Sequence, residues 1–254
     1  MDKDYLFENY IVKNRTEKEI AEELGCTEGK IDYWARKYGF NFKRSNPDKV
    51  FNLKHIDNTD PIFCYYAGLV ATDGYLDYKN KRISLRVNNV GSYDVLNCLK
   101  EYFEYIRPVG IYYNTKYNRP NNDLTIPNAC IFEELKDAGI FGKKNTRSFS
   151  VGWFNNSTDD CKRMFLRGVI DGDGNIHNCI RIAMKSQQFM DNLLMVFNNM
   201  CDDTYVLKMQ TNQTGNKYPM INLHKQDSIN LLKFIYEGFE QYRFTDKYNK
   251  YLEL

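Results

Sequence analysis

The sequence predicts an α+β fold, with a pseudo-two-fold pair of αββαββα halves behind a small all-α unit. Three observations support this prediction. A short segment occurs twice, as YYAGLVATDG at 65–74 and FLRGVIDGDG at 165–174, with Gly, two apolar residues and a final Asp-Gly in the same register. Each copy opens the same order of helix, strand, strand, helix, strand, strand, helix, which is typical of an internal repeat. Residues 1–44 place apolar side chains at helical spacing around a turn of their own.

Composition sets broad limits on the class of protein. The 254 residues are 43% hydrophobic and carry a formal net charge of +2, which neither establishes nor opposes a nucleic-acid partner. Seven cysteines without a CxxC pair argue against a zinc site or a disulfide framework. The chain has no signal-like start and no apolar run near the ~18 residues of a membrane span. We therefore expect an intracellular protein without membrane contact, in the cytoplasm of a bacterial or phage-infected host or in an organelle.

Residues 1–44 are interpreted as two short helices joined by a turn at Gly25-Cys26. Thr16 and Glu19 form a capping-box pattern at the first helix. The spacing resembles a helix-turn-helix of the resolvase-like or sigma-factor-like kind, whose second helix enters the major groove. The resemblance implies that DNA contacts come from Lys30, Tyr33, Arg36 and Lys37. A small helical cap that contacts no DNA is the alternative.

The remaining domain boundaries follow from composition and the repeat. Residues 45–60 are polar and weakly periodic, which indicates a linker. The first half is predicted over 61–150 and the second over 151–254. Asp60 as N-cap with Pro61 at the first helical position opens the first motif helix. Ser157 with Asp160 is expected to cap the second.

The elements after each motif are predicted in order. In the first half they are a strand at 81–88, a helix at 92–103, strands at 109–116 and 121–127, and a helix at 131–140. In the second half they are a strand at 178–185, a helix at 186–200, strands at 204–210 and 218–224, and a helix at 227–239. These ranges rest on alternating apolar residues for strands and on 3.6-residue spacing for helices.

The motif spacing predicts how the halves meet. Gly68 and Thr72 are four residues apart, as are Gly168 and Gly172, so each pair shares one helix face. Small residues on one face let two helix backbones approach closely. Gly74 and Gly174 are expected to end the helices as C′ residues.

The same packing brings two carboxylates together. Asp73 and Asp173 occupy equivalent ends of the two helices, with no Lys or Arg nearby in the second half of either motif. Like charges this close are unfavourable unless protonated or bound to a cation. Hard divalent cations prefer oxygen ligands, and Mg²⁺ suits a site near phosphate. Paired metal ions can stabilise the attacking and leaving oxygens of a phosphoryl displacement.

Both motifs resemble the LAGLIDADG motif of homing endonucleases, and the resemblance extends over residues 61–254. It implies two halves that each present an antiparallel sheet to DNA, with Asp73 and Asp173 as catalytic metal-binding acids. The backbone carbonyls of Thr72 and Gly172 are further candidate ligands. The chain departs from the pattern at Ala71, where the family often has an acid that is kept at Asp171. Because that acid is considered structural, the departure does not imply lost activity.

The implied function is site-specific cleavage of double-stranded DNA across the minor groove, with the gene belonging to an intron or mobile element. Mg²⁺ is the expected cofactor. Mn²⁺ or Ca²⁺ can substitute, with Ca²⁺ supporting binding without cleavage. We expect a monomer on a long, nearly asymmetric site. Two alternatives remain open, a non-cleaving transcriptional regulator of the same fold and an RNA maturase.

Strand parity predicts the side chains that face DNA, because successive residues of a strand alternate between faces. Ile83, Leu85 and Val87 correspond to Ile180, Ile182 and Met184 on the buried face. The predicted DNA-facing residues of the sheets are Ser84, Arg86, Asn114, Lys116, Arg181, Lys208 and Gln210. Asn88 and Lys185 lie at equivalent strand ends, where the family places polar residues near the metals. Simple solvation is the alternative for each.

Two closing segments add basic candidates. GKKNTRS spans 142–148 and FTDKYNKY spans 244–251. The second resembles the family's closing segment, whose basic residue sits beside the scissile phosphate. Lys144 and Lys247 are therefore predicted to be catalytic, since a cation there stabilises developing phosphorane charge or holds the attacking water. Lys143 can take the place of Lys144, and a plain surface lysine is the alternative.

Overall fold

The computed structural model describes residues 1–12, 15–38, 57–88, 91–105, 107–114, 119–211 and 214–254. The chain divides into two compact units, 1–50 and 51–254. Lys116 and most of the predicted linker lie outside the described residues, as do the side chains of Arg36 and Asn114. The predicted domain boundaries therefore stay predictions. No helix in the described ranges has the length and apolarity needed to cross a bilayer.

The N-terminal unit is all-α. Helix α1 spans Lys3–Leu6 and continues as a π-helical turn, Phe7–Val12, before α2 at Glu17–Glu23 and α3 at Glu28–Lys37. The capping box is formed, since Thr16 Oγ1 accepts from Glu19 N and the backbone N–H of Thr16 donates to the Glu19 carboxylate. Gly25 has a φ of 57°, a left-handed conformation that favours glycine at this turn. The core of the unit consists of Leu6, Tyr10, Ile20, Ala21, Ile31 and Ala35, so the unpredicted first helix completes it.

The first half follows the predicted order. Its elements are α4 (Pro61–Asp73), β1 (Gly74–Asp77), β2 (Arg82–Val87), α5 (Ser92–Tyr102), β3 (Gly110–Asn114), β4 (Arg119–Pro127) and α6 (Ala129–Asp137). As predicted, Asp60 caps α4 by accepting from Ile62 N and Phe63 N, and Pro61 opens the helix. The four antiparallel strands lie in the order β1-β2-β4-β3.

The second half repeats this arrangement with two additional short helices. Its elements are α7 (Val151–Asn156), α8 (Asp159–Asp173), β5 (Gly174–Ile176), β6 (Ile180–Ala183), α9 (Gln187–Met200), β7 (Lys208–Thr211), β8 (Lys217–Asn222), α10 (Lys225–Ile235) and α11 (Thr245–Leu252). The strand order β5-β6-β8-β7 matches that of the first sheet. The described residues thus confirm the predicted α+β class with its two four-stranded antiparallel sheets.

Three local predictions about the second half need correction. Ser157 ends α7, and Thr158 is the N-cap of α8, where its side chain accepts from Cys161 N. The strand expected from 204 begins at 208. The backbone N–H of Tyr205 donates to Asn198 Oδ1 of α9 at 2.7 Å and is therefore not available for a hydrogen bond between strands. Helix α10 ends at Ile235 and not near 239, since Arg167 donates to the backbone carbonyls of Glu237 and Gly238.

The strand faces agree with the predicted parity. The residues predicted to be inward are all at most 4% exposed, and they pack in one core with both motif helices. Register across the sheets places Arg86 opposite Asp123 and Ser84 opposite Thr125 in the first half. In the second half, Arg181 lies opposite Asn222 and Ala183 opposite Met220. Each sheet therefore covers the core with one face and leaves a polar face open.

Candidate active site and nucleic-acid interface

Helices α4 and α8 meet at their small residues. A Cβ added to Gly68 would lie 2.3 Å from Phe165 O, and one added to Gly168 would lie 2.3 Å from Tyr65 O. One helical turn later, a Cβ on Gly172 would lie 2.1 Å from Thr72 Oγ1. Since real side chains do not approach this closely, the small-residue face sets the distance between the two helix backbones.

The glycines that follow the acids have a different role from the one expected. Gly74 and Gly174 are extended, with φ of −72° and −70°, and are not left-handed C′ residues. A Cβ at Gly74 would lie 2.6 Å from Val70 O, and one at Gly174 would lie 2.5 Å from Ile170 O. Glycine is needed here because the first strand of each sheet turns back tightly against the end of its own helix.

The packing brings Asp73 and Asp173 to one cation. Lys144 Nζ lies 3.2 Å from Asp73 Oδ1 and 4.0 Å from Asp173 Oδ2. The pKa of the Asp173 carboxyl is raised to about 6, first by burial and then by the negative charge of Asp73, while Lys144 and Lys247 act in the opposite sense. The structure thus places Lys144, and not Lys143, between the two predicted metal-binding acids.

Each acid opens into a cleft on its own sheet. A cleft of ≈ 300 Å³ in the first half is lined by Asp73, Tyr75, Arg82, Ser84, Arg86 and Thr125. In the second half a cleft of ≈ 570 Å³ is lined by Lys144, Asn145, Asp173, Ala183, Met184 and Lys185. Lys185 therefore shares a cleft with Asp173. Asn88 is exposed just beyond the end of β2.

Lys247 does not correspond to Lys144. It is only 8% exposed and donates to the carbonyl of Gly174, and burial lowers its pKa. Its counterpart is Arg147, which is also buried and donates to Gly74 O at 2.9 Å and to Val70 O. Each of these two cations lies 74 positions after its motif acid and ties a closing segment to the end of a motif helix. Of the two lysines predicted to be catalytic, only Lys144 forms an ion pair with the motif acids among the described residues.

The open face of the first sheet carries cations that are paired with acids. Arg86 Nε donates to Asp123 Oδ2 at 2.6 Å, and Arg82 Nη2 lies 3.3 Å from Asp77 Oδ2. Ser84 lies on this face but is only 8% exposed, and its hydroxyl lies 2.7 Å from that of Thr125. Backbone register puts Asn114 opposite Arg119 at the outer end of the same sheet.

The open face of the second sheet is different in charge. Arg181 Nε donates to the amide oxygen of Asn222 at 3.0 Å. Lys185 and Lys208 are exposed, and no ion pair joins either of them to a carboxylate in the described part of the chain. Gln210 is exposed on β7, with Lys208 opposite Met220. Among the described residues, this face therefore presents two lysines that no ion pair neutralises.

The acid retained at Asp171 is structural. It is fully buried, and Tyr65, Tyr236 and the backbone N–H of Phe244 all donate to it, at 2.9, 2.8 and 3.1 Å. Burial is the main cause of its raised pKa of about 6, which the three hydrogen bonds counteract. Ala71, the corresponding residue of the first half, is also fully buried, so this cage exists only in the second half.

A hard divalent cation fits the donor set. Asp73 and Asp173 supply carboxylate oxygens, which such ions prefer, and Lys144 already lies between them as a positive charge. Thr72 Oγ1 donates to Gly68 O and Leu69 O, which leaves its backbone carbonyl as the candidate ligand. No group of three or more His, Cys, Asp or Glu side chains converges among the described residues. Carbonyls, water or phosphate oxygens would therefore complete the coordination.

The N-terminal unit presents its predicted DNA-contacting residues on α3. Lys30, Tyr33 and Lys37 are exposed. Lys37 Nζ lies 4.4 Å from the centre of the Trp34 ring and 5.9 Å from that of Tyr33. This cation-aromatic cluster holds a positive charge at the end of the helix.

Several residues of the site were not identified from the sequence. They are Tyr75, Arg82, Asp123, Thr125 and Arg147. Extending the strand parity by one step before Ile83 would have identified Arg82. Counting 74 positions from each acid would have identified Arg147. Asp123 and Thr125 gave no local signal, because their role depends on the register between β2 and β4.

Solved structures with a similar fold identify the fold of this chain. No protein-family model matches the sequence, and no curated protein matches it. Among solved structures, the homing endonuclease I-WcaI bound to its DNA recognition sequence superposes with a TM-score of 0.56 at 13% identity, covering 83% of this chain and 93% of that one. Mesophilic variants of the homing endonuclease I-DmoI give 0.51 at 14% identity, with 72% and 94% covered. I-DmoI in complex with DNA and Mn gives 0.50 at 14% identity, with 70% and 97% covered.

These similarities define the class of structure. The chain has the LAGLIDADG fold, in agreement with the resemblance in its two motifs. At these identities the similarity establishes the fold alone, and the chemistry has to be argued from the site.

Proposed function

We propose that the chain is a site-specific endonuclease that hydrolyses phosphodiester bonds in both strands of duplex DNA with a divalent cation. The observation that carries the proposal is the meeting of Asp73 and Asp173 around Lys144, at the junction of two open polar sheet faces. A fold that needed the motif helices only as a packing contact would not require two partly exposed carboxylates there.

The residues of the site have distinct roles in this proposal. Asp73 and Asp173 hold the metal, with the backbone carbonyls of Thr72 and Gly172 as further ligands. When bound, Mg²⁺ would polarise a phosphoryl oxygen and lower the pKa of a coordinated water. Lys144 compensates the carboxylate charge before the metal binds and then lies close to the phosphate, where a cation stabilises developing negative charge. Structurally similar proteins support divalent metal use, since I-DmoI has been determined with DNA and Mn and with DNA and Ca.

The DNA partner follows from the two sheet faces. Arg86, Arg181, Lys185, Lys208 and Gln210 supply base and phosphate contacts over a long duplex site. Because the halves differ at corresponding positions, such as Arg86 and Ala183, a single chain would recognise a nearly asymmetric sequence. The N-terminal unit, through Lys30, Tyr33, Arg36 and Lys37, would lengthen the footprint and add specificity.

Cleavage selection from a random duplex library with Mg²⁺ tests the proposal. We expect enrichment of one long cleaved sequence by the wild type and none by Asp73→Asn or Asp173→Asn. If the wild type binds duplex DNA without cutting it in Mg²⁺ or Mn²⁺, the endonuclease proposal fails and a DNA-binding regulator of the same fold is favoured. If both acid variants cut as fast as the wild type, the site is wrongly assigned.

A further inference from the structure

The first sheet carries an arginine–aspartate pair on its open face. Arg86 on β2 and Asp123 on β4 lie opposite each other, and Arg86 Nε donates to Asp123 Oδ2 at 2.6 Å. The arginine side chain is 52% exposed and the aspartate 16%. The acid therefore lies beneath a guanidinium that projects from the sheet.

Two hydroxyls fix the acid. Asp123 Oδ1 accepts from Thr125 Oγ1 at 2.7 Å, and Thr125 Oγ1 lies 2.7 Å from Ser84 Oγ. Because Thr125 has one hydroxyl proton and gives it to Asp123, Ser84 must donate to Thr125. Both carboxylate oxygens are thus engaged, and the plane of the guanidinium is set before any ligand arrives.

Such a pair is poorly suited to a phosphate. A carboxylate beside the DNA backbone repels it and offsets the attraction of the arginine. At the corresponding position of the second sheet, Ala183 lies opposite Met220, and its exposed cations Lys185 and Lys208 have no ion pair within the described residues. Those cations are suited to phosphates. The charge of Arg86 is instead offset by Asp123, which also holds the orientation of its guanidinium.

A fixed orientation is useful for reading a base. Arginine makes its most common specific contact by donating two hydrogen bonds to O6 and N7 of guanine in the major groove. A planar fork held by a second group loses less conformational entropy on binding. We propose that Arg86 reads a guanine in the half-site covered by the first sheet and that Asp123 is its positioning residue. This inference rests on the proposed function only in requiring sequence-specific duplex binding.

Binding selection from a random duplex library in Ca²⁺ tests this proposal without requiring cleavage. Wild type, Arg86→Ala, Asp123→Asn and the control Lys208→Ala are compared, with thermal melting to establish that each variant is folded. We expect one guanine position in the wild-type sequence preference, reduced about tenfold to a hundredfold in Arg86→Ala and weakened in Asp123→Asn. In Lys208→Ala that preference persists, while affinity falls for all sequences and the salt dependence becomes shallower.

The variant Asp123→Asn separates positioning from charge. Removal of an acid from the DNA face should raise affinity for non-specific duplex while guanine preference falls, a combination that a merely structural loss does not give. A guanine preference that persists in Arg86→Ala, or that disappears equally in Lys208→Ala, would overturn the assignment. If the wild type enriches sequences but does not cut them in Mg²⁺, the endonuclease proposal fails and guanine reading stands. If it enriches no duplex, both fail.

Discussion

Gly68 and Gly168 lie directly against each other where the two motif helices cross. A Cβ built on either glycine would lie 3.0 Å from the Cα of the other. No other pair of residues could bring the helices this close, since any side chain at the crossing would meet backbone atoms. The distance between Asp73 and Asp173, one turn further along, depends on this contact.

Gly68→Ala should therefore lower stability and change the distance between Asp73 and Asp173. A methyl group there meets Phe165 O at 2.3 Å. Because a helix backbone atom cannot move away as a flexible side chain can, we expect the free energy of unfolding to fall by ~1–3 kcal/mol or more. The matched control is Gly152→Ala in α7, where the added Cβ meets only Ser150 Oγ at 3.7 Å and alanine favours the helix. Urea unfolding measures both. Equal urea midpoints for the two variants would show that the crossing is not tightly packed.

Two adjacent tyrosines allow a sharp test of the buried polar cage. Tyr65 and Tyr66 are both fully buried, but only the Tyr65 hydroxyl donates to Asp171, at 2.9 Å. The Tyr66 hydroxyl has no hydrogen-bond partner in the described structure. Tyr65→Phe removes a bond to a buried carboxylate and should cost ~1.5–3 kcal/mol, whereas Tyr66→Phe removes an unsatisfied group and should be neutral or stabilising. Urea unfolding of both variants checks this, and a larger loss for Tyr66→Phe would contradict the geometry.

Lys144 should matter for cleavage much more than its neighbour. Its ammonium lies 3.2 Å from Asp73 Oδ1, so Lys144→Ala removes the cation at the centre of the site. By analogy with the loss of one electrostatic contact in other enzymes, we expect single-turnover cleavage to fall ~10²–10³-fold. Lys143→Ala is the control and should stay within a few fold of wild type.

The same variant should bind metal more tightly. Without the ammonium, the carboxylates no longer share their charge with a competing cation, so Mn²⁺ affinity measured by calorimetry on the free protein should rise in Lys144→Ala. A purely structural lysine would not produce slower cleavage together with tighter metal binding. Equal losses of cleavage in the two lysine variants would move the catalytic role away from Lys144.

The parts of the site that the sequence predicted are those encoded by local spacing. Gly68 and Thr72 share a helix face because they are four residues apart. Asp73 follows as the last residue of the same helix. Local spacing does not reveal contacts between distant segments. Asp171 is held by Tyr65, Tyr236 and Phe244, which lie 106, 65 and 73 positions away. Asp123 is 37 positions from Arg86, and only the register of β4 reveals their contact.

A buried hydrogen-bonded cluster around Asp227, away from Asp73 and Asp173, should make the stability of the protein depend on pH. Asp227 on α10 is 4% exposed and accepts from the Tyr205 hydroxyl and from the backbone N–H groups of Asp203 and Asp202. Burial by itself would raise the pKa of the Asp227 carboxyl, but these hydrogen bonds outweigh it and the pKa lies below the usual value of 3.8. The folded state therefore holds the proton less tightly than the unfolded state does.

Because its pKa is lowered on folding, Asp227 stabilises the folded state at neutral pH. A carboxyl whose pKa is lowered on folding stabilises the protein above its unfolded pKa, and this contribution is lost as the pH falls below about 4. Asp227→Asn should consequently cost about 2 kcal/mol at pH 7 and clearly less at pH 3, as measured by urea unfolding at both values. The exposed Asp137 on α6 supplies the control, since Asp137→Asn should change the free energy of unfolding little at either pH. A cost for Asp227→Asn that is equal at pH 7 and pH 3 would mean that the hydrogen bonds, and not the charge, carry the stabilisation.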